Sequence, residues 1–154
     1  MIKKSYLIFI CLLTLLLTGC FNKHQDDGTN RIYLTSKYYH KGNFIDITSN
    51  DLKELSNDNY LLFTNNNYCN LAIPCDEIFQ EVMNKYKIDI LFIPFEDFKN
   101  TKFYDKVNFA PSILIIKNNE IVTYLDAESN DDLNKYQDAN EFEKWLDKFI
   151  HLEY

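Results

Sequence analysis

Residues 60–86 read Tyr60-Leu61-Leu62-Phe63-Thr64-Asn65-Asn66-Asn67-Tyr68-Cys69-Asn70-Leu71-Ala72-Ile73-Pro74-Cys75-Asp76-Glu77-Ile78-Phe79-Gln80-Glu81-Val82-Met83-Asn84-Lys85-Tyr86. The first five residues form an unbroken apolar run ending in a threonine. Such a run suits a strand covered on both faces, because alternation is lost when neither face meets water. From Pro74 the period changes. Cys75, Ile78, Phe79, Val82 and Tyr86 fall on one helical face, and Asp76, Glu77, Gln80, Glu81 and Asn84 fall mostly elsewhere. Proline suits a first helical turn, where its missing N–H would have no partner anyway. Asp76 and Glu77 sit at the positive end of the helix dipole. The stretch is therefore a buried strand, a polar loop containing Cys69, and an amphipathic helix.

Working outward, strand and helix signals keep alternating. Phe44-Ile45-Asp46-Ile47 is a short alternating strand, and Ser49 can cap a helix over Asp51–Leu55. Ile88–Ile93 is a second buried strand, and Glu96–Val107 is expected to be helical. Ser112–Ile116 and Ile121–Leu125 are strands joined around Asn118-Asn119, a short hairpin connection. Asp138 can cap a last helix, with Glu141 three residues on as in a capping box. Phe142, Trp145, Leu146, Phe149 and Ile150 then follow at helical spacing. The order is βαβαβαββα. Its first connections need crossovers through helices, which implies a central sheet with parallel pairs flanked by helices, and the final hairpin adds antiparallel strands. The fold class is α/β with a mixed sheet.

The N-terminus has the layout of an export signal. Lys3 and Lys4 are followed by an apolar run, Leu7–Leu17, broken only by Thr14. That run is shorter than the roughly 20 residues of a membrane span. Leu17-Thr18-Gly19-Cys20 resembles a bacterial lipobox, which implies cleavage before Cys20 and a diacylated Cys20 at the new N-terminus. Cys11 would leave with the signal. The expected organisation is a signal peptide over 1–19, a lipidated cysteine and polar tether over 20–43, and a folded domain over 44–154. Localisation follows as lipid-anchored, on the extracytoplasmic face of the cell membrane. The whole chain carries 16 basic and 23 acidic side chains; without Lys3 and Lys4 the balance is 14 to 23, a net charge of −9. An acidic chain without basic clusters argues against nucleic acid as a partner.

Over about residues 44–151 the chain resembles a thioredoxin. The element order carries the resemblance, together with Cys69 between the second strand and the following helix and Phe109-Ala110-Pro111-Ser112 at the head of the strand before the hairpin. The resemblance implies that Cys69 is the nucleophile, that Tyr68 is the aromatic before it, and that Pro111 is a cis-proline facing it. It also implies exported protein thiols or disulfides as partners, no cofactor, and a monomer. Thioredoxin-like lipoproteins such as bacteriocin-transport accessory proteins are the nearest analogy. The chain departs from the family at two points. The family's resolving position falls on Ala72, which cannot form a disulfide, and the buried acid of the preceding strand is replaced by apolar Leu61, Leu62 and Phe63.

The next cysteine is Cys75, separated from Cys69 by five residues. On one regular helix the two would lie about 240° apart around the axis and about 9 Å along it. A disulfide needs Cα atoms within about 7 Å. A helix beginning near Ile73 would free residues 69–72 to fold back on Cys75. Two readings stay open for the site. In one, Cys69 and Cys75 with Pro111 make a thiol–disulfide oxidoreductase. In the other, Cys75 is a core residue, and the fold is a non-catalytic binding module in an export, immunity or conjugation system. The three histidines, His24, His40 and His151, lack metal-ligand spacing with either cysteine. Asp126, Glu128, Asp131 and Asp132 read as a solvated loop without the spacing of a calcium-binding loop.

Overall fold

A computed structural model of the chain describes residues 30–66 and 73–154. The signal segment, Cys11, Cys20, His24, Tyr68, Cys69 and Ala72 lie outside the described residues.

Five strands form one sheet in the order β1-β3-β2-β4-β5. They are β1 (Phe44–Asp46), β2 (Asn59–Asn65), β3 (Ile90–Pro94), β4 (Ser112–Lys117) and β5 (Glu120–Asp126). β3 runs parallel to both β1 and β2, whereas β4 is antiparallel to β2 and to β5. The parallel connections each pass over the sheet, as a crossover must. This is the α/β thioredoxin-like arrangement with a mixed central sheet. The hairpin between β4 and β5 turns on Asn118 and Asn119, with φ of 47° and 65°. Positive φ at both central residues is the turn that matches strand twist, and asparagine tolerates it well.

Helix α1 (Cys75–Tyr86) and helix α3 (Ala139–Asp147) pack on one face of the sheet; a short α2 (Phe95–Phe98) follows β3. The core between α1, α3 and β2 is aromatic. Phe79 meets Phe63 edge-on at 5.2 Å and Phe142 at 4.3 Å, and all three rings are buried. Burying each such ring contributes roughly 1.5–3 kcal/mol. α3 begins as its sequence requires. The Asp138 carboxylate accepts from the backbone N–H of Asn140 and Glu141. Glu141 does not reach back as in a capping box; its side chain accepts from Lys144 instead.

Three expectations are corrected. The chain from Ile32 onward is not tether: Ile32, Leu34, Tyr38 and Tyr39 are buried, and Ile32 bridges Ile150 in parallel. The packed domain thus begins near residue 32 and not at 44. The helix over Glu96–Val107 shrinks to Phe95–Phe98 and continues as turns, with Thr101 N–H bonded to Phe98 O and Val107 N–H to Phe103 O. Phe98 and Phe103 are both buried, and on a continuous helix they would point about 140° apart. The Asp51–Leu55 helix is a three-residue 3-10 turn over Asp51–Lys53; Ser49 does not cap it but bonds the Asp97 carboxylate through its N–H and hydroxyl.

Candidate functional site

The sheet brings two sequence-predicted residues to one end of its strands. β2 ends at Asn65 beside the start of β4, with Thr64 opposite Ser112. The residue before Ser112 is Pro111, so Pro111 lies at the end of the sheet where β2 runs out. Cys75 is the first residue of α1. Pro74 is its N-cap, with no side-chain cap bond, and Ile73 just before it is 43% exposed. The expected start near Ile73 is therefore shifted by two residues. The N–H groups left unpaired in a helix's first turn belong to the turn that opens at Cys75. Cys75 itself is buried, with 1% of its surface exposed.

The Ala110–Pro111 peptide bond is cis, the isomer the sequence reading expects. Pro111 is buried, and the following Ser112 hydroxyl donates to Phe109 O at 2.9 Å, closing the segment on itself. Whether Pro111 faces Cys69 falls outside the described residues.

Tyr136 joins these parts, and sequence reasoning missed it. It ends a 3-10 turn, Leu133–Tyr136, ahead of α3. Its ring is fully buried, and its one hydroxyl proton is shared between Leu125 O at 2.7 Å and, more weakly, Pro111 O at 3.3 Å. Burial, then the neighbouring Cys75 sulfur, push the phenol well above its ordinary value. It is therefore a neutral donor at any physiological pH, touching the Pro111 segment and lying within electrostatic range of Cys75. A lone tyrosine in a polar stretch gives no periodic signal, so nothing local in the sequence marks it. The acidic stretch before it is also more ordered than a solvated loop. Asp132 accepts from Asp126 N–H and pairs with Lys135 at 2.9 Å, and Asp126 accepts from Glu128 N–H.

Other candidate chemistry lies elsewhere. His40 and His151 belong to an aromatic cluster with Tyr33, Tyr39 and Tyr154; Tyr33 stacks on His151 at 3.9 Å. This cluster adjoins the start of β3, since Tyr39 bridges Ile88, and so lies at the opposite end of the strands from Cys75. Among the described residues no group of three His, Cys, Asp or Glu side chains is placed to hold a metal ion, and no helix is long and apolar enough to cross a membrane. A buried acid does exist, at Asp89, but it is structural: one carboxylate oxygen accepts from the N–H of Gly42 at 3.0 Å and of Asn43 at 2.8 Å.

No protein-family model matches the chain, and no curated protein matches it. Several solved structures are similar in fold. Thioredoxin O2 from Arabidopsis thaliana in its oxidized state is 10% identical, over 73% of this chain and 99% of that one, with a TM-score of 0.49. The reduced thioredoxin pre-protein of Schistosoma mansoni is 20% identical over 70% and 99%, with a TM-score of 0.46. Thioredoxin NaTrxh from Nicotiana alata is 18% identical over 62% and 90%, also at 0.46. The fold assignment rests on the strand order and strand directions given above.

Proposed function

We propose that the chain is a membrane-anchored, extracytoplasmic thiol–disulfide oxidoreductase-like protein acting on exported proteins, held to the membrane through lipid on Cys20. The observation that carries this reading is the gathering of Cys75, at the head of α1, with the cis Ala110–Pro111 segment around Tyr136. Cys69 is the attacking thiolate. It displaces one sulfur of a partner disulfide, which leaves as a thiolate and takes up a proton, and a Cys69–partner mixed disulfide forms. Cys75 then attacks the Cys69 sulfur. The second partner sulfur leaves, and the two electrons given to the partner are balanced by a Cys69–Cys75 disulfide. A dithiol donor at the membrane reduces that disulfide for the next cycle. Pro111 presents extended backbone beside the site. No diffusible cofactor takes part.

The test is a trapping experiment on the purified chain. With Cys75→Ala the mixed disulfide has no resolving thiol and should accumulate on a disulfide-bearing peptide; with Cys69→Ala none should form. Equal adduct in both variants, or none in the first, ends this reading. A second reading, a non-catalytic binding module in an export, immunity or conjugation system, is favoured by the burial of Cys75, which is what a core cysteine shows. It expects no adduct in either variant.

A further inference from the structure

On the side of α1 away from α3, the described residues leave the sheet face toward β1 partly open. The floor of this opening is three phenylalanine rings, one from each neighbouring strand. Phe63 lies 5.9 Å from Phe44 and 5.7 Å from Phe92. Phe44 and Phe92 are half-buried, and Asn65 and Asp76 close one end around a recess of about 290 Å³. A second recess, about 480 Å³, shares Phe44 and Asp76 and runs along α1 past Glu77, Gln80, Glu81 and Asn84. Together they make a groove with an aromatic floor and an acidic wall.

The chemistry of the groove selects its occupant. Asp76, Glu77 and Glu81 are exposed, and among the described residues none of their carboxylates has an ion pair or hydrogen bond. Among the described residues no lysine, arginine or histidine lines either recess. The paired acid Glu143 on α3 is a contrast, since it holds Lys85 at 2.7 Å and the Tyr86 hydroxyl at 2.7 Å. Glu77 and Glu81, four residues apart on one helix face, repel one another, and an incoming cation relieves that repulsion. A phenylalanine face also attracts a cation. At the end of the groove the Asn65 Oδ1 is buried without a hydrogen-bond partner, an acceptor that an N–H donor would satisfy. Bare charge would leave the half-buried phenylalanine rings uncovered, so the occupant must bring apolar side chains too.

We propose that this groove binds a basic, apolar-patterned peptide segment of a partner protein, its lysine or arginine side chains meeting Asp76, Glu77 and Glu81 and its apolar side chains covering Phe44 and Phe92. The proposal does not depend on thiol chemistry and stands whichever reading of the cysteines holds.

The test uses the full chain and three short labelled probes: a peptide alternating lysine and phenylalanine, the same peptide with glutamate for lysine, and oligolysine of equal charge. The first probe should bind most tightly and should shift the amide resonances of Phe44, Phe92, Asp76 and Glu81. The combined variant Asp76→Asn, Glu77→Gln, Glu81→Gln, which touches no buried side chain, should weaken it on the order of tenfold. Phe92→Leu should weaken it several-fold. Equal affinity for the triple variant and the parent overturns the proposal, as does equally tight binding of the glutamate probe or of oligolysine. Resonance shifts confined to another face of the protein overturn it as well.

Discussion

The hydroxyl of Tyr136 reaches the carbonyl of Pro111 at 3.3 Å while sharing its one proton with Leu125 O at 2.7 Å. One side chain thereby ties the entry to β4, the end of β5 and the turn before α3 into a single unit beside Cys75. Tyr136→Phe keeps the ring and deletes both bonds. We expect a loss of about 1–2 kcal/mol, because the ring still packs against Phe79 at 5.8 Å and only the donor is gone. Tyr136→Ala should cost about 3–5 kcal/mol through the cavity it leaves. Urea unfolding midpoints at neutral pH measure both, and equal losses for the two variants would mean that packing contributes nothing beyond the bonds.

The same tyrosine predicts alkaline sensitivity. Burial raises the phenol pKa of Tyr136 and Tyr60, and pushes Tyr39 up to about 12. In each case the folded state holds its proton more tightly than the unfolded chain, whose tyrosines titrate near about 10. Their contribution is therefore complete below about pH 10. It is lost as pH rises from there toward the folded values, at about 1.4 kcal/mol per pH unit for each such group. Unfolding free energies between pH 9 and 11 should fall steeply in the parent and less steeply, by one proton's share, in Tyr136→Phe. Parallel slopes would show that Tyr136 ionises in the folded state as easily as in the unfolded one.

Much of this fold is legible in the sequence, and the failures share a cause. The helix from Cys75, the buried run Tyr60–Thr64, the paired strands around Asn118-Asn119 and the capped helix after Asp138 all announce themselves through period or turn chemistry. Ile32-Tyr33-Leu34 does not. Two apolar residues in a polar stretch make no pattern, and their burial depends on Ile32 bridging Ile150, far away in sequence. Phe98 and Phe103 are core residues five apart, off the helical period, so composition suggests a helix where packing demands turns. Pro111 is visible as a candidate because family geometry names a proline there, and Cys75 because it is the other cysteine of the folded domain. Tyr136 is not, because its role exists only through the partners the fold brings to it.

A turn ahead of β1 supplies a further stability prediction. Gly42 has φ of +82°, and a Cβ added there would lie 2.7 Å from the Met83 carbonyl oxygen, a backbone atom that cannot step aside. Its N–H is also held by Asp89. Gly42→Ala should cost about 2 kcal/mol or more, from strain and steric clash together. Asp89→Ala, which leaves the N–H groups of Gly42 and Asn43 without their acceptor, should cost about 1–3 kcal/mol. Because both changes disrupt one turn, the double variant should lose less than the sum. Thermal or urea unfolding of the three variants tests this, and full additivity would separate the two residues.

The cap on α3 is a more local case. Asp138 accepts from two backbone N–H groups of the first turn, Asn140 at 2.8 Å and Glu141 at 3.2 Å. Asp138→Ala should cost about 1 kcal/mol and Asp138→Asn only a few tenths, since asparagine also caps well. Helix α3 carries Phe142, Trp145 and Leu146 into the core, so the loss should appear in global unfolding and not only as fraying. A loss from Asp138→Asn equal to that from Asp138→Ala would point to charge, not cap geometry, as the source.

The last prediction concerns thiol reactivity, where two readings of the cysteines part. Cys75 opens α1 and exposes 1% of its surface, so a reagent reaches it only when the structure opens. Reduced chain should therefore alkylate Cys75 at least about tenfold more slowly in buffer than in denaturant. Cys69 should react faster than Cys75 in buffer if it is the nucleophile, and its rate should flatten at a pH below that of an ordinary thiol, near about 8.5. Mass analysis of the alkylated peptides over a pH series separates the two sites. Oxidised chain should show neither site open to reagent and should recover both after reductant, the signature of a reversible Cys69–Cys75 bridge. If Cys69 reacts no faster than Cys75, or if its rate rises with pH as a free thiol's does, the nucleophile assignment fails. Cys75 is then a core residue, and the binding-module reading takes its place.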